Sequence, residues 1–379
     1  MRAKIYSISI IVLLGLLLFM AKRQFMADLY WKMAHQDGRG PRKTIGYLEK
    51  CIAIDNENAL FHFSLGRAFL HEGLAEGRQI GVRNKWIRRS IDEFHKAIDL
   101  EPSNSDYHFH LGMSYGSLPY PPPFHWEIIQ NSFERTILLN PTNVQHLYSV
   151  GIYYLNKYHR LKTIKRVAVG VGSSHYKRYA AMSKENYQLY FRKLLDVNEE
   201  YLDKVLKKCF SVTQKYTDLK DVIRNTANDH GFFARFLDEK GMWKEAEREY
   251  REAINLEPAN QNHYSRFAHA LARRRYYVDA IYWWQKQKLI DPGDRKPYLF
   301  SADSFMKLKR FDDAFRELRD LMRLYPENVN YQIKLIKTFI KADRVDEAIK
   351  EYRKILEKNP HLSKEMYDSV LHFQKKGKL

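Results

Sequence analysis

Pairs of apolar residues one helical turn apart, a small one followed by a bulky one, punctuate the C-terminal half of the chain: Ala246 and Tyr250, Ala280 and Trp284, Ala314 and Leu318, Ala348 and Tyr352. Successive pairs stand 34 residues apart. A spacing of four puts both side chains on one helix face, so a neighbouring helix can approach closely at the alanine and pack beside the larger group. Pro258, Pro292, Pro326 and Pro360 keep the same 34-residue step, twelve residues after the alanines. Proline interrupts the helical hydrogen-bond ladder, so the four segments that end on these prolines read as helix ends followed by turns. Three further prolines on one comb would be roughly a one-in-ten-thousand coincidence. The chain is therefore read as a tandem array of helical units.

The N-terminal half carries a complementary pattern: Leu65-Gly66 with Phe69, Leu111-Gly112 with Tyr115, and Val150-Gly151 with Tyr154. The glycine lets two helices touch backbone to backbone, and the aromatic residue fills the adjacent gap. In the later units Ala234, Ala268, Ala302 and Ile336 replace the glycine, and Asn56 stands where proline is expected. These columns at this period resemble the tetratricopeptide repeat, a helix–turn–helix unit of 34 residues. Seven first helices are expected to start near Ala59, Ser105, Val144, Ala227, Gln261, Arg295 and Val329. The resemblance implies an all-α fold, a right-handed α-solenoid of helix pairs. Extra residues around His71–Lys85, a proline-rich loop at Pro119–Pro123 and a long insert at Asn156–Arg224 interrupt the period, and Ser363–Lys376 reads as a terminal capping helix.

Ile5–Ala21 is a run of seventeen residues without a charge, preceded by Arg2 and Lys4 and followed by Lys22 and Arg23. As a helix it would span roughly 26 Å. Phe19 occupies the position where a cleaved leader would need a small residue, so an uncleaved transmembrane helix is expected. With it come a single-pass localisation, of the bacterial inner-membrane type, and a soluble part outside the cytoplasm. Membrane-anchored bacterial members of the repeat family share this architecture, but a terminal module with two Cys-x-x-Cys pairs has no counterpart here. The expected organisation is an anchor at 1–24, a first repeat block at 25–155, a basic and mostly helical insert at 156–226, a second block at 227–362, and a cap with basic tail at 363–379. Cys51 and Cys209 are isolated and propose neither a disulfide nor a metal site.

Charge changes the picture in one place. The chain has 64 basic and 45 acidic residues, a net charge of +19. Between Asn156 and Leu195 ten Lys or Arg face the single acid Glu185. Lys162, Lys165, Arg166, Lys177 and Arg178 are the candidate contacts there for a polyanion such as an envelope glycan, anionic lipid or nucleic acid. Nucleic acid ranks last, because no recognised nucleic-acid module is present.

Stacked repeats line one surface with their first helices, and the family resemblance implies a peptide or partner helix bound there. Three rows point to that groove: Asn228, Asn262, Lys296 and Asn330; then Arg235, His269, Asp303 and Lys337; then Glu239, Arg273, Lys307 and Lys341. Asparagine amides both donate and accept, which suits an extended peptide backbone. The basic balance favours an acidic or carboxylate-ended segment. Enzymatic readings find no support: Gly170-x-Gly172 is followed by His175 rather than a third glycine, and His71-Glu72 lacks the second histidine of a zinc site. His108 and His110 fall on different helix faces. The sequence thus reads as a non-catalytic scaffold without cofactor or metal, with polyanion binding as the alternative. Tyr120–Pro123 reads as a stiff loop.

Overall fold

The structure is a computed structural model that describes residues 2–36, 40–75, 77–118, 123–167 and 173–358. Tyr120–Pro122, the Gly170-x-Gly172 segment, Pro360 and the expected cap at Ser363–Lys376 lie outside the described residues. Among the described residues every regular element is helical and there is no strand. The chain divides into two compact units, Met1–Glu199 and Glu200–Leu379.

Unit 1 contains α1 (Arg2–Ala34), α2 (Pro41–Ile54), α3 (Ala59–Leu74), α4 (Ile80–Leu100), α5 (Ser105–Ser117), α6 (Pro123–Leu139), α7 (Val144–Val167) and α8 (Ser173–Val197). They pack as successive pairs. The glycine column explains the close approach inside each pair: a methyl group on Gly66 would lie 2.8 Å from the Phe94 ring, and one on Gly112 would lie 2.8 Å from the Phe133 ring. Those distances are too short for any real side chain, so glycine is what brings α3 onto α4 and α5 onto α6. The residues around His71–Lys85 lengthen α3 and α4. Much of the segment after Asn156 is likewise the far end of α7 and the whole of α8, whose Tyr187, Tyr190, Phe191, Leu194 and Leu195 are buried.

The N-terminal expectation is corrected. Among the described residues no helix is long and apolar enough to cross a membrane. The helix does not end at the Lys22-Arg23 boundary; α1 continues to Ala34 and takes in Asp28 and Lys32. Its last third behaves as the first helix of a pair with α2. Ala27 and Ala34 are buried, the Trp31 ring lies 5.4 Å from that of Phe61, and the Cys51 thiol donates to the Ala27 carbonyl at 3.6 Å. The expected transmembrane helix, and with it the single-pass inner-membrane localisation and the membrane as a partner, is not supported. One continuous helix carries both the apolar run and the polar turns that follow it.

Unit 2 contains α9 (Leu202–Thr213), α10 (Tyr216–Lys220) and four regular pairs: α11 (Ala227–Glu239) with α12 (Trp243–Leu256), α13 (Gln261–Arg273) with α14 (Tyr277–Ile290), α15 (Arg295–Lys307) with α16 (Phe311–Leu324), and α17 (Val329–Lys341) with α18 (Val345–Lys358). Ala246, Ala280, Ala314 and Ala348 are all fully buried, and the bulky column Tyr250, Trp284, Leu318 and Tyr352 is buried beside them. Seven first helices start at Ala59, Ser105, Val144, Ala227, Gln261, Arg295 and Val329. Each is preceded by a capping side chain, Asn58, Asn104, Asn143, Thr226, Asn260, Asp294 or Asn328, which accepts from a backbone N–H of the first turn.

The turn inside each regular pair also repeats. Gly241, Arg275, Lys309 and Asp343 hold φ between 59° and 78°. After each, the next N–H reaches back to a carbonyl of the first helix: Met242 to Leu237, Tyr276 to Leu271, Arg310 to Phe305 and Arg344 to Phe339, at 2.9–3.0 Å. This is a left-handed helix cap, which a side chain occupies at a cost. Lys309→Gly is therefore expected to stabilise the protein by roughly 0.5–1 kcal/mol. Urea unfolding checks it, and a loss of stability would contradict it.

Candidate functional site

The candidate face of unit 2 is built by the first helices α11, α13, α15 and α17. Because the caps Asn260, Asp294 and Asn328 fix each helix start, Asn262, Lys296 and Asn330 occupy the same place in successive first turns, their N–H groups donating to the caps at 3.0–3.1 Å. Asn228 holds that place in α11, one residue after Ala227. All four side chains are exposed. So are Arg235, Arg273, Lys307, Lys337 and Lys341, while His269 is half-buried.

The structure gathers the middle of this surface. The His269 ring packs against Phe300 at 4.3 Å and Trp284 at 5.6 Å. Burial pushes the His269 imidazole below the ordinary histidine value, and the charges of Arg273 and Lys296 push it the same way. It is therefore neutral at neutral pH, set between an aromatic wall and two cations. One turn along α13, the Arg273 guanidinium donates to Asp238 of α11 at 2.9 Å. Arg274 joins the same carboxylate at 2.6 Å. Arg235 lies over the Phe232 ring at 4.6 Å and reaches Glu239 only loosely, at 3.9 Å. Farther on, Lys334 pairs with Asp303 at 2.9 Å.

Asn262, His269, Arg273 and Lys296 thus lie on neighbouring turns of α13 and α15, and Arg235 approaches Arg273 near the Tyr250 hydroxyl, whose ionisation feels both cations. Lys307, Asn330, Lys337 and Lys341 share the face, at the α15 and α17 end. Sequence reasoning missed Asp238, which holds two arginines, and Phe300, which backs His269. Phe300 is the apolar neighbour on α15, a signal the sequence did offer.

The basic group expected near the insert lies in unit 1. Lys162 sits over the Tyr158 ring at 5.5 Å, at the far end of α7. Lys177 and Arg178 are exposed in the second turn of α8, beside the same end of the pair. The side chains of Lys165 and Arg166 lie outside the described residues. Lys157, one turn before, is half-buried; burial lowers its ammonium below the usual lysine value, and Arg160 adds to that.

Three histidines outside this face, His62, His108 and His230, are held in internal hydrogen bonds. His62, His108, Tyr264 and Tyr298 occupy one position, the fourth of their helices, and each bonds the carbonyl of the residue six before it: Asn56, Pro102, Pro258 and Pro292, at 2.9–3.1 Å. His62 also meets Glu93 at 2.6 Å. His230 pairs with the fully buried Glu249, which also accepts from the Tyr216 hydroxyl and lies 3.2 Å from Lys220. Among the described residues no group of three or more His, Cys, Asp or Glu side chains could hold a metal ion.

A search of curated proteins finds no match. Solved structures similar to this chain include the tetratricopeptide-repeat domain of Arabidopsis OM64, 24% identical with TM-score 0.26, covering 30% of this chain and 93% of its own. MamA residues 41 to the end from Desulfovibrio magneticus RS-1 is 14% identical with TM-score 0.31, covering 55% and 98%. A MamA protein crystal structure is 12% identical with TM-score 0.34, covering 63% and 92%. Superpositions this loose lend no weight of their own. Residues 305–368 match the tetratricopeptide-repeat family profile, the stretch that begins in α15 and includes α16, α17 and α18. That stretch carries the tetratricopeptide repeat, on the same comb of 34-residue helix pairs that runs through the regular pairs of unit 2.

Proposed function

We propose that this protein is a non-catalytic scaffold whose unit 2 holds an acidic segment of a protein partner against the first helices α11, α13, α15 and α17. The observation that supports this most is the arrangement at α13 and α15: a neutral, half-buried His269 backed by Phe300, with Arg273 and Lys296 close enough to depress its ionisation. An apolar side chain finds the aromatic wall, and an adjacent carboxylate finds two cations. Exposed Asn262 and Asn330 offer amides to the partner's backbone, and Lys307, Lys337 and Lys341 extend the basic surface. The cations on this face outnumber the acids Asp238, Glu239 and Asp303.

A bound carboxylate opposes the two cations and raises the His269 pKa, so the protonated imidazole binds more tightly than the neutral one. Affinity for an acidic peptide is therefore expected to increase as pH falls through the histidine range, while His269→Phe flattens that dependence. Calorimetric titration with a glutamate-rich peptide carrying one aromatic residue, across pH, is the test. An affinity independent of pH in the intact protein, or unaltered by Arg273→Glu with Lys296→Glu, would refute the proposed site.

A second reading assigns polyanion binding to the shared end of α7 and α8. It has in its favour the exposure of Lys177 and Arg178 there, beside Lys162. Replacing these three with glutamine, and Lys165 and Arg166 with them, should then reduce the salt dependence of heparin binding, and an unchanged slope would dismiss it.

A further inference from the structure

Unit 1 holds a histidine whose two ring nitrogens both face acceptors. His62 is buried in the first turn of α3; its Nδ1 stands 2.6 Å from the Glu93 carboxylate of α4, and its Nε2 stands 3.0 Å from the Asn56 carbonyl in the turn before α3. A neutral imidazole carries one N–H and can serve only one of them. A backbone carbonyl never donates, and Lys96, 2.8 Å from the other Glu93 oxygen, keeps the carboxylate ionised. Both nitrogens therefore carry protons, and His62 is an imidazolium.

The other repeats show that packing at this position does not require a charge. Tyr264 and Tyr298 hold the same place in α13 and α15 and supply the single bond to the turn carbonyl with a phenol. His108 makes that bond in α5, but where Glu93 precedes Phe94 in α4, Ser132 precedes Phe133 in α6, its hydroxyl donating to the Ile128 carbonyl at 2.7 Å. The paired arrangement recurs once in unit 2, where His230 meets Glu249 and its other nitrogen stands 3.0 Å from Asn225 Oδ1.

The His62 bond sits beside a tight contact. Phe94, the residue after Glu93, lies so near Gly66 of α3 that no methyl group fits between them. Loss of the Nδ1 proton would turn a lone pair toward the carboxylate, replacing an attraction with a repulsion at the edge of that contact. The charges that bear on His62 come from Glu93 and Lys96 of α4, and the turn faces it with the Asn56 carbonyl. The hydrogen bond to Glu93 raises the imidazole pKa above the ordinary value; burial and Lys96 oppose this without cancelling it. For Glu93, burial opposes ionisation, and the bonds from His62 and Lys96 outweigh it and lower the pKa. A histidine raised in the folded state stabilises fully below its unfolded value, about 6.5, and loses that contribution as pH rises through the folded pKa. A lowered carboxyl contributes above about 4.3 and loses its share as pH falls through its folded value. We infer that the His62–Glu93 pair is a pH-sensitive clasp on α3 and α4, closed while the imidazole holds its second proton and released when alkaline pH removes it. The clasp lies in unit 1 and does not depend on the binding face proposed for unit 2.

Two measurements on the full chain test this. Exchange of the imidazole C2 proton with deuterium, followed against pH by mass spectrometry of the peptide that contains His62, reads its titration without any substitution. The midpoint is expected above 6.5, and Glu93→Gln should bring it down. Amide exchange then reads the opening of α3 and α4, corrected for the intrinsic effect of pH on exchange. Opening is expected to increase about tenfold or more between pH 6 and pH 9, as the loss of one charge-assisted hydrogen bond implies. His62→Tyr installs the residue that α13 and α15 carry, keeps a donor for the Asn56 carbonyl, and should abolish that increase; circular dichroism verifies its fold. The inference is overturned if His62 titrates at or below 6.5 in the intact chain. It is equally overturned if opening of α3 and α4 does not change over this range, or changes as much in His62→Tyr.

Discussion

Glu249→Ala is expected to remove about 3–5 kcal/mol from the stability of unit 2, among the largest effects a single substitution can have here. The Glu249 carboxylate is wholly enclosed and serves three partners, His230, Tyr216 and Lys220. Its removal takes the partner from Nδ1 of the buried His230 ring and from the Tyr216 hydroxyl, while the Lys220 ammonium, on a side chain 45% exposed, still reaches water. Burial alone would push the carboxyl pKa up, yet the hydrogen bonds from His230 and Tyr216, with the charge of Lys220, hold it below the ordinary value. A carboxyl with a lowered folded pKa stabilises fully above its unfolded value, about 4.3, and loses that contribution as pH falls through the folded pKa. The variant should therefore lose both stability near neutral pH and part of the acid limb of the stability profile. Urea unfolding from pH 7 down to pH 3 measures both, and a cost below about 1 kcal/mol would show that the cluster is not acting as a unit.

Trp284→Ala is expected to cost about 3–5 kcal/mol as well, through a cavity rather than a charge. Trp284 is almost fully buried, fills the position beside Ala280, and stacks on Phe300 with ring centroids 5.7 Å apart. The same ring supports His269. The substitution should accordingly do two things together: lower the denaturation midpoint and weaken acidic-peptide binding under conditions where the protein is still folded. Ala280→Trp would probe the other half of the same contact, since a large ring at a fully enclosed alanine forces the helices apart. Hydrogen exchange across α13, α14 and α15 locates the damage. Faster exchange confined to other pairs would contradict the packing described.

How far these elements could be read beforehand depended on whether a single residue type carried the constraint. Alanine at Ala246, Ala280, Ala314 and Ala348, and glycine at Gly66 and Gly112, are legible because nothing larger fits against the facing ring, and the period follows from them. The caps were there to be read too, an Asn, Asp or Thr one residue before each of seven helix starts, but the proline comb drew attention to helix ends rather than beginnings. The left-handed turns at Arg275 and Lys309 were not legible, since long side chains there give no sign of positive φ, whereas Gly241 and Asp343 are residue types that visit that region. At the N-terminus, hydrophobicity in Ile5–Ala21 outweighed the weaker periodic signal of Ala27, Trp31 and Ala34, which marks α1 as a first helix packed on α2.

For the candidate site, residue types and helix faces could be read from the comb, but partners could not. Arg273 looked like a free cation, yet it shares Asp238 with Arg274, because a carboxylate one repeat away in sequence is one helix away in space. Such a pairing is geometric and leaves no local trace. The same holds for His62, His108, Tyr264 and Tyr298, whose common bond to a turn carbonyl becomes visible only when the four helices are compared.

The claim that unit 2 recognises a partner through its first helices is tested most directly by affinity capture with crosslinking from native extract. The intact chain is compared with one in which Asn262, His269, Arg273, Asn330, Lys337 and Lys341 are all alanine. These side chains are exposed, apart from the half-buried His269, so the fold is expected to persist, as thermal unfolding would confirm. The account predicts that a specific protein partner crosslinks to the intact chain and is lost from the variant. Retention of the same partners at the same yield would contradict it.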